Sequence, residues 1–235
     1  MSTAIFDVDR TLLDGMSGYL FTRWLWTKGH LSARSKLRIA KSFFLYRSGL
    51  KPLTELVAVG VTCLAGMHAV HVDELADQCV NEVLWPLLFT EAVEKIAEHA
   101  ACNDFTCLAS GSAQPLIAAL ARRVGADAGI GTAAMIDENG LYLPKVKPPF
   151  SYMAGKLELV EQLLREKSLR LDEAALYTDN DADLPLCRRV ARPFAVNPDP
   201  GLKQKALEHE WPILTWETRQ NPKDRYTGTS WPIKS

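Results

Sequence analysis

The sequence predicts an α/β protein: a parallel sheet covered on both faces, with a block of helices inserted after the first strand. Three observations predict it. Strand-like and helical stretches alternate from residue 104 to residue 196, the pattern of a parallel sheet. Residues 17–100 instead carry apolar residues at spacings of three and four, the period of successive helices. A single short apolar run, TAIFDV at 3–8, stands ahead of both.

Taken in order, residues 3–8 predict a buried strand, because the run is short and partly β-branched or aromatic. Gly15 breaks the pattern, and the helical stretch follows, with turn signals at Gly29, Ser48-Gly49 and Gly66 and an end to the insertion near Trp85-Pro86. DFTCLAS (104–110) predicts a strand, 112–124 a helix and AGIGTAAM (128–135) a strand. Glu138-Asn139-Gly140 predicts a hairpin, since Asn-Gly supplies the positive φ angles of a tight turn. A helix at 155–167, a strand at 174–178, a helix near 182–190 and a strand at 193–196 complete the alternation. The expected division is a core of residues 1–14 and 87–216, a helical insertion of residues 15–86, and a polar, mobile tail over 217–235.

At 235 residues, 47% apolar and 23% charged, the chain can build a sizeable core and is not composed like a disordered one. A formal charge of −1 gives no reason to expect nucleic acid as a partner. Cys63, Cys79, Cys102, Cys107 and Cys187 are odd in number and form no CxxC pair. Neither a disulfide framework nor a zinc site is expected, and reduced thiols in the cytoplasm are. Met1 leads directly into the first strand with no secretory pattern. LVAVGVTCLAGMHAV (56–70) falls short of about 20 apolar residues and contains two glycines and a histidine, so it is expected to be a buried helix rather than a membrane span.

In an open parallel sheet, ligands collect beyond the carboxyl ends of the strands. Four stretches fall at such ends: Asp7-x-Asp9-x-Thr11, Ser110-Gly111-Ser112, Lys156 at a helix start, and Asp179-Asn180-Asp181-Ala182-Asp183. Together they offer carboxylates, a hydroxyl, an ammonium and free backbone amides, the composition of a magnesium and phosphate site. Magnesium takes hard oxygen ligands and shares one or two carboxylates with a phosphate; Asp7 and Asp179 can supply them. A carboxylate nucleophile splits phosphoester hydrolysis into two displacements, provided the phosphoryl charge is neutralised. Lys156 and the metal can do that. A second carboxyl group must serve as acid and then base, and Asp9 is within two residues.

With these four motifs in order, the sequence resembles the haloacid dehalogenase superfamily of aspartate-nucleophile phosphatases, in its phosphoserine-phosphatase-like branch with a helical cap. The resemblance spans roughly residues 3–216. It implies a Rossmann-like core with the cap inserted after the first strand, and Mg2+ as cofactor. It implies Asp7 as nucleophile and metal ligand, Asp9 as acid/base that also offers its carbonyl to the metal, and Thr11 as the partner that orients Asp9. Ser110, the Gly111 amide and Asn180 would bind the phosphate and Lys156 would balance its charge. Asp179 would complete the metal shell, and Asp183 would serve there or position Lys156. The stretch VNPDPGLKQKA…WPIL (196–214) is similar to the closing segment of this branch.

The chain departs from the pattern in two places. Thr178 and Asn180 stand where the fourth motif commonly has glycine and serine. Met16 stands where phosphoserine phosphatases carry a cap glutamate, and Gly60 where they carry the substrate-binding arginine. The resemblance without that clamp implies poor activity on phosphoserine.

His68 and His71 lie three apart but lack a third ligand and read as surface or core residues. Cys107 reads as a core residue, and the aromatics of YLFTRWLWTKG (19–29) as cap core. Between Gly15 and Pro52 there are eight basic residues and no acidic ones. Arg34, Arg38 and Lys41 follow helical spacing beside the stripe Ala33, Leu37, Ala40 and Phe44, which reads as a solvated face, an attractor of anionic substrate or a membrane-surface contact. The expected activity is magnesium-dependent hydrolysis of a small phosphomonoester through an aspartyl-phosphate. A phosphotransferase or mutase would use the same motifs, and a phosphate- or membrane-binding relative without turnover would keep the site but could lose Asp9.

Overall fold

The computed structural model describes residues 2–220. In chain order the strands are β1 (Thr3–Asp7), β2 (Phe105–Ala113), β3 (Ala128–Thr132), β4 (Ala134–Ile136), β5 (Tyr142–Val146), β6 (Ala175–Thr178), β7 (Arg192–Val196) and β8 (Ile213–Leu214). The helices are α1 (Ser17–Thr27), α2 (Ala33–Arg47), α3 (Leu53–Thr62), α4 (Ala69–Cys79), α5 (Thr90–Ala101), α6 (Gln114–Val124), α7 (Ala154–Glu166), α8 (Leu184–Cys187) and α9 (Pro200–Glu208).

Six strands form one parallel sheet in the order β3-β2-β1-β6-β7-β8. Side chains alternate across a strand, and β1 shows the consequence. Ala4 and Phe6 join the larger apolar cluster, which continues into the cap through Phe21, Trp24 and Leu75, while Ile5 faces the second cluster with Val160, Leu186 and Leu202. The chain moves outward from β1 through β2 to β3, then returns to β6 on the other side of β1. The order therefore reverses between β1 and β6, and a crevice opens at their carboxyl ends. Across that pair Phe6, Tyr177 and Phe194 stack at 4.6 and 4.7 Å.

The segments that flank the helices expected to form the cap run side by side: Asp14 N donates to Leu87 O and Phe89 N to Leu12 O, both at 2.9 Å. The hairpin forms at the expected residues, but Gly140 alone of the Asn-Gly pair takes a positive φ, +78°, and Asp137 Oδ1 accepts from the amides of Asn139 and Leu141. Its hairpin also clasps the cap, since Gly66 N donates to Tyr142 O and Tyr142 N to Met67 O.

Several elements differ from expectation. β2 continues through Ser110-Gly111-Ser112 as a strand whose register shifts between Ala109 and Ala113, and the helix expected from 112 begins at Gln114, with Pro115 in its first turn. The expected single helix over 56–70 is broken, because Gly66 adopts φ +84° and residues 66–69 hydrogen-bond to the hairpin instead. Among the described residues no helix is long and apolar enough to cross a membrane. The helix expected near 182–190 is reduced to a 3-10 turn at Asp181–Asp183 followed by α8. The first residues of the expected mobile tail are fastened: Thr218 N donates to Glu91, Gln220 N to Leu88 O, and Arg219 pairs with Asp14. The rest of that tail, 221–235, lies outside the described residues.

Candidate active site

Asp7 is the last residue of β1 and Asp179 the first after β6, so the two flank the crevice where the strand order reverses. Both are buried, at 7% and 4% exposure, as are Lys156 and Asp183 at 5% and 3%. Lys156, in the first turn of α7, reaches across the sheet end. Its Nζ donates to Asp7 Oδ1 at 2.7 Å and to Asp183 Oδ2 at 2.8 Å. Gly155 lets the chain at Phe150 close onto the start of α7, because a Cβ there would stand 2.0 Å from Phe150 O.

Asp183 is held in turn by Thr178 Oγ1, which donates to Asp183 Oδ2 at 2.8 Å. Asp183 was expected at the metal or as the positioner of Lys156, and the contacts are those of the second role. Thr178, which stands where the family commonly has glycine, thus has a partner of its own. Thr11 corrects another expectation: its buried hydroxyl donates to Asp179 Oδ1 at 3.3 Å rather than to Asp9. After Asp9 the chain turns at Arg10, φ +65°, which carries Thr11 past Asp9 toward β6.

Asp9 accepts at both oxygens, from Ser17 N at 2.5 Å and from Ser110 Oγ at 3.2 Å. Ser110 Oγ also accepts from Ser112 N at 3.1 Å, and Ser112 Oγ lies 2.7 Å from Ser17 Oγ. The first motif, the second motif and the start of α1 are therefore joined in one network. Gly18 keeps that approach open, since a Cβ there would meet Ser112 Oγ at 2.8 Å. Gly111 follows Ser110 on the bulged end of β2, and its nearest neighbour on the Cβ side is Ser151 O.

Asn180, expected among the phosphate ligands, is turned away. Its Oδ1 accepts from Ala182 N at 2.9 Å and its Nδ2 donates to Asp199 Oδ2 at 3.0 Å. Asp199 N donates to Asp179 O at 2.8 Å. Asn180 caps the 3-10 turn and ties the Asp179 loop to the closing segment. Sequence reasoning missed Ser17, Ser112, Asp199 and the partner of Thr178. Ser112 and Asp199 stood inside motifs already singled out; Ser17 carried no signal, because it donates to Asp9 through its backbone.

Four acids, Asp7, Asp9, Asp179 and Asp183, share this site with one ammonium; Asp7, Asp179 and Asp183 are buried and Asp9 is half-buried. Burial pushes Asp7 up to about 7 despite Lys156, with Asp183 and Asp9 adding to the rise. Burial likewise pushes Asp179 up to about 8, with Asp7, Asp9 and Asp183 adding to it and Arg10 opposing. Asp9 is raised by burial against the hydrogen bonds from Ser17 and Ser110. Burial works against the Lys156 ammonium, but Asp183 and Asp7 outweigh it and hold its pKa above the ordinary lysine value. Buried negative charge in such excess requires a cation or protons. The hard carboxylate oxygens fit magnesium, which needs only one or two of them besides phosphate and water. Among the described residues no three Asp, Glu, His or Cys side chains form a ready-made metal cluster.

His68 caps α4 by accepting from Val70 N and His71 meets Glu74, so both are engaged locally. Trp24 and Cys107 are buried as expected.

A family model described as haloacid dehalogenase-like hydrolase matches residues 4–188. A probable phosphatase of Mycobacterium tuberculosis is 28% identical over 97% of this chain and 80% of its own length. A histidinol-phosphatase of Neisseria meningitidis is 27% identical over 91% of this chain and 98% of its own. The crystal structure of a Bordetella pertussis Tohama I protein of unknown function superposes with a TM-score of 0.81 at 26% identity, covering 91% of this chain and 98% of that one.

Proposed function

The chain belongs to the haloacid dehalogenase-like hydrolase family, and from that premise we propose that it is a magnesium-dependent phosphatase of small phosphomonoesters that works through a phosphorylated Asp7. The observation that carries this reading is the buried bridge from Lys156 to both Asp7 and Asp183. An ammonium held so tightly beside a carboxylate at a strand end is placed to offset phosphoryl charge. The family match is to hydrolases and the two relatives are named phosphatases, which supports hydrolysis of phosphoric monoesters.

In the first step Asp7 attacks phosphorus; its Oδ–P bond forms as the bond from phosphorus to the leaving oxygen breaks. The proton on Asp9 passes to that oxygen. Burial keeps Asp9 above the usual carboxylate range, which favours the protonated form this step needs. In the second step Asp9 takes a proton from water, whose oxygen attacks phosphorus while the Asp7 Oδ–P bond breaks and inorganic phosphate leaves. Lys156 balances charge in both steps, and Ser110 Oγ with the Gly111 amide receives phosphoryl oxygens as Ser110 turns from Asp9. When bound, magnesium would be held by Asp7, Asp179 and the Asp9 carbonyl and would mask the charge that otherwise repels the attacking carboxylate.

Residues 15–86 act as the cap over this site and choose the leaving group. Met16 and Gly60 leave no charged clamp for an amino acid at the positions where the phosphoserine enzymes have one, so phosphoserine is not a favoured substrate. The histidinol-phosphatase relative supports a small phosphomonoester. Phosphate release from a panel of small phosphomonoesters, with magnesium and with chelator, tests the proposal. Turnover that needs magnesium is expected; no turnover on any member would overturn it.

A further inference from the structure

We propose that the outer face of α2 binds the surface of an anionic lipid bilayer. The helix is fastened along one side only: Ser35 and Ile39 are its buried residues, and Ser35 Oγ donates to Cys63 O at 3.1 Å. On the opposite side Leu37 and Phe44 are 72% and 70% exposed, and Leu50, just past the helix end, is 70% exposed. Helical spacing places Arg34, Leu37, Lys41 and Phe44 on one stripe. Arg34, Lys41 and Arg47 are exposed and form no ion pair with any described residue. Arg38, grouped with them by spacing alone, turns inward to Thr62 Oγ1 at 3.1 Å and does not belong to the face.

The occupant follows from the charge. No acidic residue occurs between Gly15 and Pro52, so α2 itself offers an anionic surface no repulsion, and Glu55 of the neighbouring α3 is paired with Lys51. Large apolar side chains centred between basic ones suit a bilayer boundary, where the rings and aliphatic chains enter the acyl region and the cations stay with the headgroups. A nucleic acid backbone would leave Leu37 and Phe44 without a solvent to replace water. A second copy packed about a twofold axis would set Arg34 and Lys41 against themselves. The helix is one that lies on a membrane, since no described helix can span one.

The test is cosedimentation of the full chain with vesicles of phosphatidylcholine alone and with vesicles containing about one third phosphatidylglycerol. Binding to the second and not the first, weakened by salt, is expected. Arg34→Gln with Lys41→Gln should lower it by roughly tenfold or more, since each basic residue near such a surface strengthens partitioning severalfold. Leu37→Ser with Phe44→Ser should abolish it. All four positions face solvent, so both variants should keep the wild-type unfolding temperature and phosphatase rate on a soluble ester. Absence of binding to anionic vesicles, equal binding to neutral ones, binding that survives both variants, displacement by RNA, or a vesicle-free dimer lost with Leu37→Ser and Phe44→Ser would each overturn the proposal.

Discussion

Asp183 holds Lys156: the ammonium donates to its Oδ2 at 2.8 Å, and the same oxygen accepts from Thr178. The acid furthest along the fourth motif thus acts on Asp7, the proposed nucleophile, through a lysine 27 residues upstream. Replacing Asp183 by Asn removes one charge from a buried pair, a change that costs about 3–5 kcal/mol where the partner is left uncompensated. Asp7 remains as a partner, so the low end is expected. The unfolding temperature should fall by several degrees and kcat by roughly a hundredfold, read by thermal unfolding and steady-state kinetics.

Thr11→Val tests whether the Thr11 hydroxyl serves Asp179. The swap nearly conserves volume in a fully buried position and removes one hydrogen bond to a proposed metal ligand. Loss of such outer contacts lowers metal affinity by about 10–100-fold. Magnesium titration of activity should show a higher half-saturating concentration, with kcat at saturating magnesium much less affected. A fall in kcat with unchanged magnesium dependence would show that Thr11 acts elsewhere.

The acid cluster makes stability depend on pH in a direction opposite to the usual carboxylate. Asp7 and Asp179 are raised to about 7 and about 8 in the folded chain. Between the ordinary carboxylate range and those values, the folded state holds protons that the unfolded state has released, so stability falls as pH rises. The metal-free protein should therefore unfold at lower temperature at pH 8 than at pH 5. Magnesium should restore more stability at the higher pH, where it displaces fewer protons. Thermal unfolding with magnesium and with chelator checks both, and Asp179→Asn should flatten the dependence.

Ser112→Ala breaks the hydroxyl pair with Ser17 at 2.7 Å, which lies between the second motif and the first turn of α1. A single buried hydrogen bond is worth about 1 kcal/mol, so the unfolding temperature should drop by a few degrees at most. If the pair also steadies the Ser17 amide on Asp9, kcat should fall by roughly three- to tenfold. An unchanged kcat with a lowered unfolding temperature would confine the pair to stability.

Phosphoserine should be turned over with kcat/KM at least about a hundredfold below the best small phosphomonoester of a panel, a difference of roughly 3 kcal/mol in transition-state stabilisation. The measurement is a side-by-side kinetic comparison. Comparable values would mean that another part of the cap supplies the amino-acid contacts that Met16 and Gly60 do not.

The sheet was legible because strand and helix announce themselves locally. TAIFD at 3–7 and ALYT at 175–178 are short apolar runs; the first ends in Asp7 and the second is followed at once by Asp179, each too polar to be another core residue. The site acids were legible for the same reason. Partners across the fold were not, because a hydroxyl carries no mark of its acceptor: Thr11 lies two residues from Asp9 yet serves Asp179, 168 positions away. Asn180 misled in the same manner, since capping and phosphate binding draw on one side chain. Gly66 gave a turn signal, yet the apolar run 56–70 still read as one helix, because the pairing that holds the break open is with a hairpin more than seventy residues downstream. Residues 217–220 read as loose by polarity, but the backbone amides of Glu217, Thr218 and Gln220 are taken up by Glu91 and Leu88.

The most direct measurement is to quench turnover with acid and map the bound phosphoryl group by mass spectrometry. A phosphorylated peptide carrying Asp7 should accumulate with magnesium and a good substrate, and it should vanish, together with turnover, in Asp7→Asn. Steady hydrolysis by Asp7→Asn, or a phosphoryl group found on a different side chain, would contradict the account.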